Sequence, residues 1–219
     1  MEPQFWLERW QQGQIGFHQA EINAHLQEFW GQLQLPADST VFVPLCGKSR
    51  DLLWLRGQGH PVLGVEVSPL AVQEFFRENQ LTPSIQPDGF FDRYESDGLT
   101  ILCGDFFALT APQLAGVLGV YDRASLIALP SEMRARYATH LKEILPVRAE
   151  TLLITLEYPE SEMEGPPFAI RQAEVERLYA DRYVVATLYA KSVLDENPRF
   201  RERGMTALTE RVYRLKPRT

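Results

Sequence analysis

The sequence predicts an α/β protein, with one mostly parallel sheet carrying helices on both faces. Short, continuously apolar runs such as Thr40-Val41-Phe42-Val43-Pro44-Leu45 and Thr151-Leu152-Leu153-Ile154-Thr155-Leu156 alternate with stretches of helical period. Strands apolar along their whole length are buried on both sides, as in a parallel sheet between helix layers. Length sets the scale. The chain has 219 residues, 45% hydrophobic and 23% charged, which supports one core of this kind without demanding two. The expectation is a single domain over 1–219, with residues 1–35 as an N-terminal helical extension or lid. No repeat, low-complexity tract or linker interrupts it.

The elements follow in order. Residues 3–12 carry Phe5, Trp6, Leu7 and Trp10, and residues 21–33 place Ile22, Leu26, Phe29, Trp30 and Leu33 at helical spacing. Residues 40–45 form the first strand, 49–56 a helix closed by Gly57 and Gly59, and 61–67 the second strand. Ser68 and Pro69 read as N-cap and first helical position of a helix reaching Asn79 and burying Leu70, Phe75 and Phe76. Residues 99–103 are the third strand, with a hairpin partner near Arg93-Tyr94 across the Asp97-Gly98 turn. Residues 119–122 are the fourth. Ser131 caps a helix with Tyr137, Leu141 and Leu145, and 151–156 are the fifth strand. Residues 173–179 are helical. Residues 183–189 and 208–215 close the chain as an antiparallel hairpin with no clear helix between them. An open parallel sheet binds ligands beyond the carboxyl ends of its strands, so the chemistry belongs in the residues that follow them.

Composition narrows the function classes. The formal net charge is −7 at pH 7, which disfavours nucleic acid and anionic membranes as main partners. No run approaches the roughly 20 apolar residues of a membrane span, and the start MEPQFWLERW is not a signal peptide, so the expected location is cytoplasmic. Cys46 and Cys103 lie in apolar runs and read as buried, reduced thiols. Neither they nor the scattered His18, His25, His60 and His140 have metal-ligand spacing, and no metal is expected.

Five places can carry chemistry. Gly47-Lys48-Ser49 mimics the end of a phosphate loop, but Phe42 occupies the place of the required earlier glycine, so nucleoside triphosphate binding is rejected. What remains is a glycine at a strand-to-helix turn. Glu66 ends the second strand 19 positions later, where nucleoside-binding α/β folds place a carboxylate that accepts from the ribose hydroxyls. The alternative for Glu66 is a charge at an exposed strand end; Gly47 and Glu66 together favour ribose. Asp105-Phe106 after the third strand reads either as an adenine contact or as an N-cap followed by core aromatics. Arg123, ending the fourth strand, either pairs with a neighbouring carboxylate or meets a ligand anion. Trp6 and Trp10 share a helix face. Such a pair is ordinarily core, but indole faces also attract a cation, and the helix carrying them can cover a site.

Taken together these segments resemble the thiopurine S-methyltransferase family. The resemblance is carried by Trp6-Leu7-Glu8-Arg9-Trp10, Phe17-His18-Gln19, Val43-Pro44-Leu45-Cys46-Gly47-Lys48, Gly64-Val65-Glu66-Val67-Ser68, Gln73-Glu74-Phe75-Phe76, Tyr121-Asp122-Arg123-Ala124 and Gly165-Pro166-Pro167-Phe168. It spans nearly the whole chain. It implies a Rossmann-like methyltransferase fold with a seven-stranded sheet and an antiparallel last strand. It implies S-adenosylmethionine contacts at Trp10, Leu45, Glu66 and Arg123, secondary ones at Trp6, Asp105 and Phe106, and substrate stacking at Phe17. Arg199 matches a second substrate-side arginine, although Asn197-Pro198-Arg199-Phe200 departs from the animal pattern. The implied acceptors are small aromatic or heterocyclic thiols, and bacterial members are also associated with methylating selenium and tellurium compounds.

A small-molecule thiol acceptor and a monomeric enzyme are expected. A sulfonium methyl is already activated, so transfer needs a polarisable nucleophile held in line, with Arg123 stabilising a thiolate. The competing readings are an O- or N-methyltransferase, for which His18 is the nearby base, and a non-catalytic adenosine-nucleoside-binding protein. A nicotinamide-dependent reductase is disfavoured by the missing glycine fingerprint.

Overall fold

The computed structural model describes residues 3–218. Nine strands form one sheet: β1 (Thr40–Val43), β2 (Val62–Glu66), β3 (Ser84–Asp88), β4 (Phe91–Ser96), β5 (Leu99–Cys103), β6 (Val117–Arg123), β7 (Glu150–Glu157), β8 (Tyr183–Ser192) and β9 (Thr209–Pro217). Their order is β3-β4-β5-β2-β1-β6-β7-β9-β8. The five central strands, β5 to β7, are parallel, and each edge carries an antiparallel pair. The order runs outward from β1 through β2 to β5, then resumes on the other side with β6. The switch point therefore lies between β1 and β6, where a crevice opens at the strands' carboxyl ends.

The helices are α1 (Pro3–Gln11), α2 (Ala24–Phe29), α3 (Asp51–Gly57), α4 (Pro69–Glu78), α5 (Ser131–Ile144), α6 (Gln172–Tyr179) and α7 (Pro198–Glu202). Strand periodicity divides the core between two faces. Val41 and Val43 join Leu26, Phe29, Leu52, Leu55 and Phe75 of α2, α3 and α4 on one side. Phe42 turns to the other, with Tyr137 and Leu141 of α5 and Val175 and Leu178 of α6. A third, smaller cluster of Tyr158, Val193, Phe200, Met205 and Leu208 packs the segment around α7.

The sheet corrects the expected seven strands to nine. The seven strands from β5 to β8 match the expected seven, and the last strand, β9, is antiparallel as expected. The extra pair is the hairpin β3–β4. Of these, β4 was expected near Arg93-Tyr94, but β3 (SIQPD) is mostly exposed and carries Pro87, so no apolar pattern marks it. Residues 21–33 form not one helix but α2, capped by Asn23 accepting from His25 and Leu26 N–H groups, then a 3₁₀ turn Trp30–Leu33. Ser68 caps α4 as expected, accepting from Ala71 N, but Leu70 lies outside the arc of Ala71, Val72, Phe75 and Phe76 and is 36% exposed. Ser131 is the first residue of α5, and Pro130 holds the cap position without a side-chain bond. Between the closing strands stands the short α7. Cys46 and Cys103 are buried free thiols.

Candidate active site

A cavity of about 590 Å³ opens at the switch point, a size suited to small-molecule ligands. Its floor is the loop after β1, the end of β2 and the ends of β6 and β7. Its cover is α1 and the following segment on one side and the α7 segment on the other. Backbone geometry at the floor is unusual. Leu45 (φ 45°), Gly47 (φ 54°) and Ala124 (φ 67°) all adopt left-handed conformations directly after β1 and β6. For Leu45 and Ala124, which carry a Cβ, this conformation costs about 1–2 kcal/mol each.

Glu66 is buried at the floor. Its Oε2 accepts from Gly47 N at 2.9 Å and its Oε1 from Ser68 N at 2.8 Å. Burial pushes its pKa up, and these backbone donors pull it back. Each oxygen keeps a lone pair, so the carboxylate can accept further hydrogen bonds from a ligand diol. A Cβ at Gly47 would stand 3.2 Å from Cζ2 of Trp10, so a side chain there needs the indole to give way by a few tenths of an ångström. The loop and α1 thus pack together.

Arg123 reaches the cavity from the end of β6, held by Asp51 through Nη2–Oδ2 at 3.3 Å. Asp51, at the first turn of α3 and 1% exposed, also accepts from Asn23 N at 2.9 Å and the Tyr121 hydroxyl at 3.0 Å. Three segments distant in sequence, around Asn23, Asp51 and the end of β6, meet at this one carboxylate. Lys48 does not reach out as a free cation. Burial works against its charge, but hydrogen bonds to Glu74 and Glu78, both 2.8 Å, outweigh it and raise its pKa. Behind the floor, Asp122 is fully enclosed. Burial raises its pKa to about 6 against the Tyr137 hydroxyl and the Leu126 amide that donate to it.

The cover is aromatic and cationic. Phe17 meets Trp6 and Trp10 edge-on, each at 5.6 Å, and all three line the cavity. Arg199 lines the opposite rim, and its Nη1 donates to Gly16 O at 3.4 Å, joining the two covers. Thus Trp6, Trp10, Phe17, Leu45, Glu66, Arg123 and Arg199 line one cavity. Asp105 and Phe106 do not line it. Asp105 caps the turn Phe106–Ala108 by accepting from Phe107 N at 3.0 Å, and Phe106 packs in the core 4.8 Å from Tyr137. That is the cap-and-core alternative. Asp105 is nevertheless exposed next to the floor, since Gly104 N donates to Glu66 O at 2.9 Å.

Sequence reading gave no role to Asp51, Arg9 and Arg203, and from the pair Asp122-Arg123 it took only the arginine. Asp51 reads as an ordinary acidic residue in a first helical turn, and its partners are 28 to 72 positions away. Arg9 carries a partial signal, being in the Trp6-Trp10 run. Arg203 had none. Both arginines line the cavity.

The fold is that of S-adenosylmethionine-dependent methyltransferases. Solved structures that share the fold include the 1,6-didemethyltoxoflavin-N1-methyltransferase of Burkholderia thailandensis with bound S-adenosylhomocysteine, at TM-score 0.63 and 14% identity over 98% of this chain and 87% of that one. A methyltransferase of Anabaena variabilis matches with TM-score 0.63, 14% identity and coverage of 99% and 95%. The family model described as thiopurine S-methyltransferase (TPMT) matches residues 1–218, and the chain belongs to that family. Relatives named thiopurine S-methyltransferase include one from Nitrosospira multiformis, 53% identical over the whole of both chains, and one from Pseudomonas fluorescens, 50% identical over 99% of each. Among the described residues, no helix is long and apolar enough to cross a membrane.

Proposed function

We propose that this enzyme methylates the sulfur of small aromatic or heterocyclic thiols, thiopurines among them, with selenium and tellurium compounds as further acceptors of the same soft, polarisable kind. The observation that carries the reading is the opposition, within one cavity, of the buried Glu66 carboxylate and the fixed Arg123 guanidinium, under the aromatic cover of Trp6, Trp10 and Phe17.

Glu66 and the Gly47 backbone fit the ribose end of S-adenosylmethionine, Trp10 and Leu45 its neighbouring parts, and Trp6 an adjoining position. Asp105, exposed beside the floor, is placed for the adenine edge, with Phe106 behind it. When bound, that co-substrate supplies an activated methyl group on a sulfonium. Phe17 offers a ring edge and face to a planar acceptor. Arg123 and Arg199 face the acceptor's developing or existing negative charge, and the neighbouring Arg9 and Arg203 add to the same field. Asp51 fixes Arg123 in place, so little reorganisation accompanies the reaction. The two covers exclude water, which strengthens these interactions.

The test is an acceptor panel. Thiol, selenol, phenol and amine analogues on one heterocyclic scaffold are assayed with labelled co-substrate. The expected ranking of kcat/KM places thiol and selenol far above phenol and amine. A phenol or amine at the head of the ranking would replace this reading with O- or N-methylation.

A further inference from the structure

The transfer described above leaves one histidine of the cavity wall without a task. His18 follows Phe17 in the segment between α1 and α2. Its ring makes no hydrogen bond or ion pair among the described residues, whereas His25 meets Glu210 at 2.9 Å and His60 meets Ser39 O at 3.0 Å. It is half-buried. It lines the reaction cavity beside Arg123 and Lys48, and it also lines a second, outer cleft of about 330 Å³ with Lys48, Arg50, Glu78 and Asn79. His18 thus lines both the cavity of the proposed transfer and a cleft whose wall includes a carboxylate.

The charged groups around it are Lys48 and Arg123 on the floor, Arg50 in the outer cleft, and Glu74 and Glu78 on α4. Burial first, then Lys48 and Arg123, hold its pKa below the ordinary 6.5 of a histidine, against the opposing pull of Glu78 and Glu74. At neutral pH the ring is uncharged and has a lone pair free to receive a proton.

We propose that His18 is the general base for acceptors that enter the cavity still protonated, and that it releases their proton through the outer cleft. The proposal rests on the S-methylation reading and extends the acceptors from ready-made thiolates to neutral thiols. The acceptor's S–H proton passes to an imidazole nitrogen. The electron pair left on sulfur forms the new S–CH₃ bond as the methyl's bond to the sulfonium breaks, and that pair stays with the departing sulfur. Sulfonium and thiolate charges cancel, giving two neutral thioethers. The imidazolium then gives its proton to water in the outer cleft. One proton leaves per methyl transferred. Arg123 favours the thiolate over the thiol, and Glu78 and Glu74 favour the imidazolium that forms, so the two ends of the proton transfer are supported by different groups.

The test compares two acceptors: an electron-poor arenethiol, ionised at neutral pH, and an arylmethanethiol, protonated there. The variants are His18→Gln, which keeps a polar side chain without a base, and His18→Ala. With the arylmethanethiol, His18→Gln is expected to lose about 100-fold in kcat. With the ionised arenethiol the loss should stay within about threefold. Co-substrate affinity by calorimetry should not change. Added imidazole should restore part of the His18→Ala rate on the arylmethanethiol alone. The wild-type acid limb on that acceptor should follow a group titrating below 6.5 and disappear in His18→Gln. Equal losses on both acceptors without imidazole rescue, no loss on either, or a wild type that turns over only the ionised thiol would each overturn the proposal while leaving S-methylation standing. A wild type that methylates neither thiol overturns both.

Discussion

Arg123 and Asp51 show how one side chain at the cavity is defined by residues far from it in sequence. The guanidinium stays charged at any ordinary pH, so its role is electrostatic. A lysine would keep the charge but not the planar fork that Asp51 meets. Arg123→Lys should therefore retain part of the activity and Arg123→Ala less. With an arenethiol, Arg123→Ala should also move the acid limb of the pH–rate profile upward, since a thiolate without its cation binds protons more tightly. A limb that stays in place, with only co-substrate affinity reduced, would make Arg123 a cofactor ligand alone. Glu66 is the second test at this scale. Both of its oxygens already take a backbone N–H, so Glu66→Gln turns an amide NH₂ against one of those donors and removes the charge. S-adenosylmethionine affinity should fall by about 1–3 kcal/mol, read by calorimetry. Unchanged affinity in a folded variant would remove the ribose role. Glu66 was legible because a carboxylate in an apolar strand, 19 positions after Gly47, has few inexpensive explanations. Asp51 was not, because its function lies in contacts that only the tertiary structure creates.

Among the elements, the loop between β1 and α3 does the most to join cofactor floor to cover. Gly47 carries a positive φ and also touches Trp10 of α1. Gly98, in the β4–β5 turn, has φ 77° and open space around it. The two glycines separate strain from packing. Gly47→Ala and Gly98→Ala should each cost about 1–2 kcal/mol of stability by urea unfolding. Only Gly47→Ala should also shift the tryptophan fluorescence and weaken S-adenosylmethionine binding, because only there does the new methyl push on α1. Equal behaviour of the two variants would separate the cover from the floor. The same scale explains which elements sequence revealed. The parallel strands β1, β2, β5, β6 and β7 are buried on both faces, and their apolar runs say so. The strand β3 lies exposed at an edge, where its residues meet no core, and α7 is a five-residue helix too short for a period to emerge. The break between α2 and its 3₁₀ turn leaves the apolar spacing of residues 21–33 intact, so periodicity alone could not reveal it.

The whole molecule also carries a titratable group in its interior. Asp122, beneath Arg123, has its pKa raised by burial from 3.8 to about 6. Between those values the native carboxyl holds a proton that the unfolded one has lost. Its contribution to stability is therefore fully present below about pH 4 and is lost as pH rises through about 6. Asp122→Asn cannot ionise. The stability difference between variant and wild type, from urea unfolding, should move in the variant's favour between pH 4 and 7. A difference that stays constant across that range would show that Asp122 titrates alike in both states.

The central claim is that the molecule brings a methyl donor and a sulfur acceptor together in one cleft and transfers the group directly. A single-turnover reaction with methyl-labelled S-adenosylmethionine and a heterocyclic thiol tests it most directly, with products and protein resolved by mass spectrometry. The account predicts label on the acceptor's sulfur, one S-adenosylhomocysteine per thioether, and no labelled protein at any time, Cys46 in the cavity wall included. Label on Cys46, or on an oxygen or nitrogen of the acceptor in place of its sulfur, would contradict it.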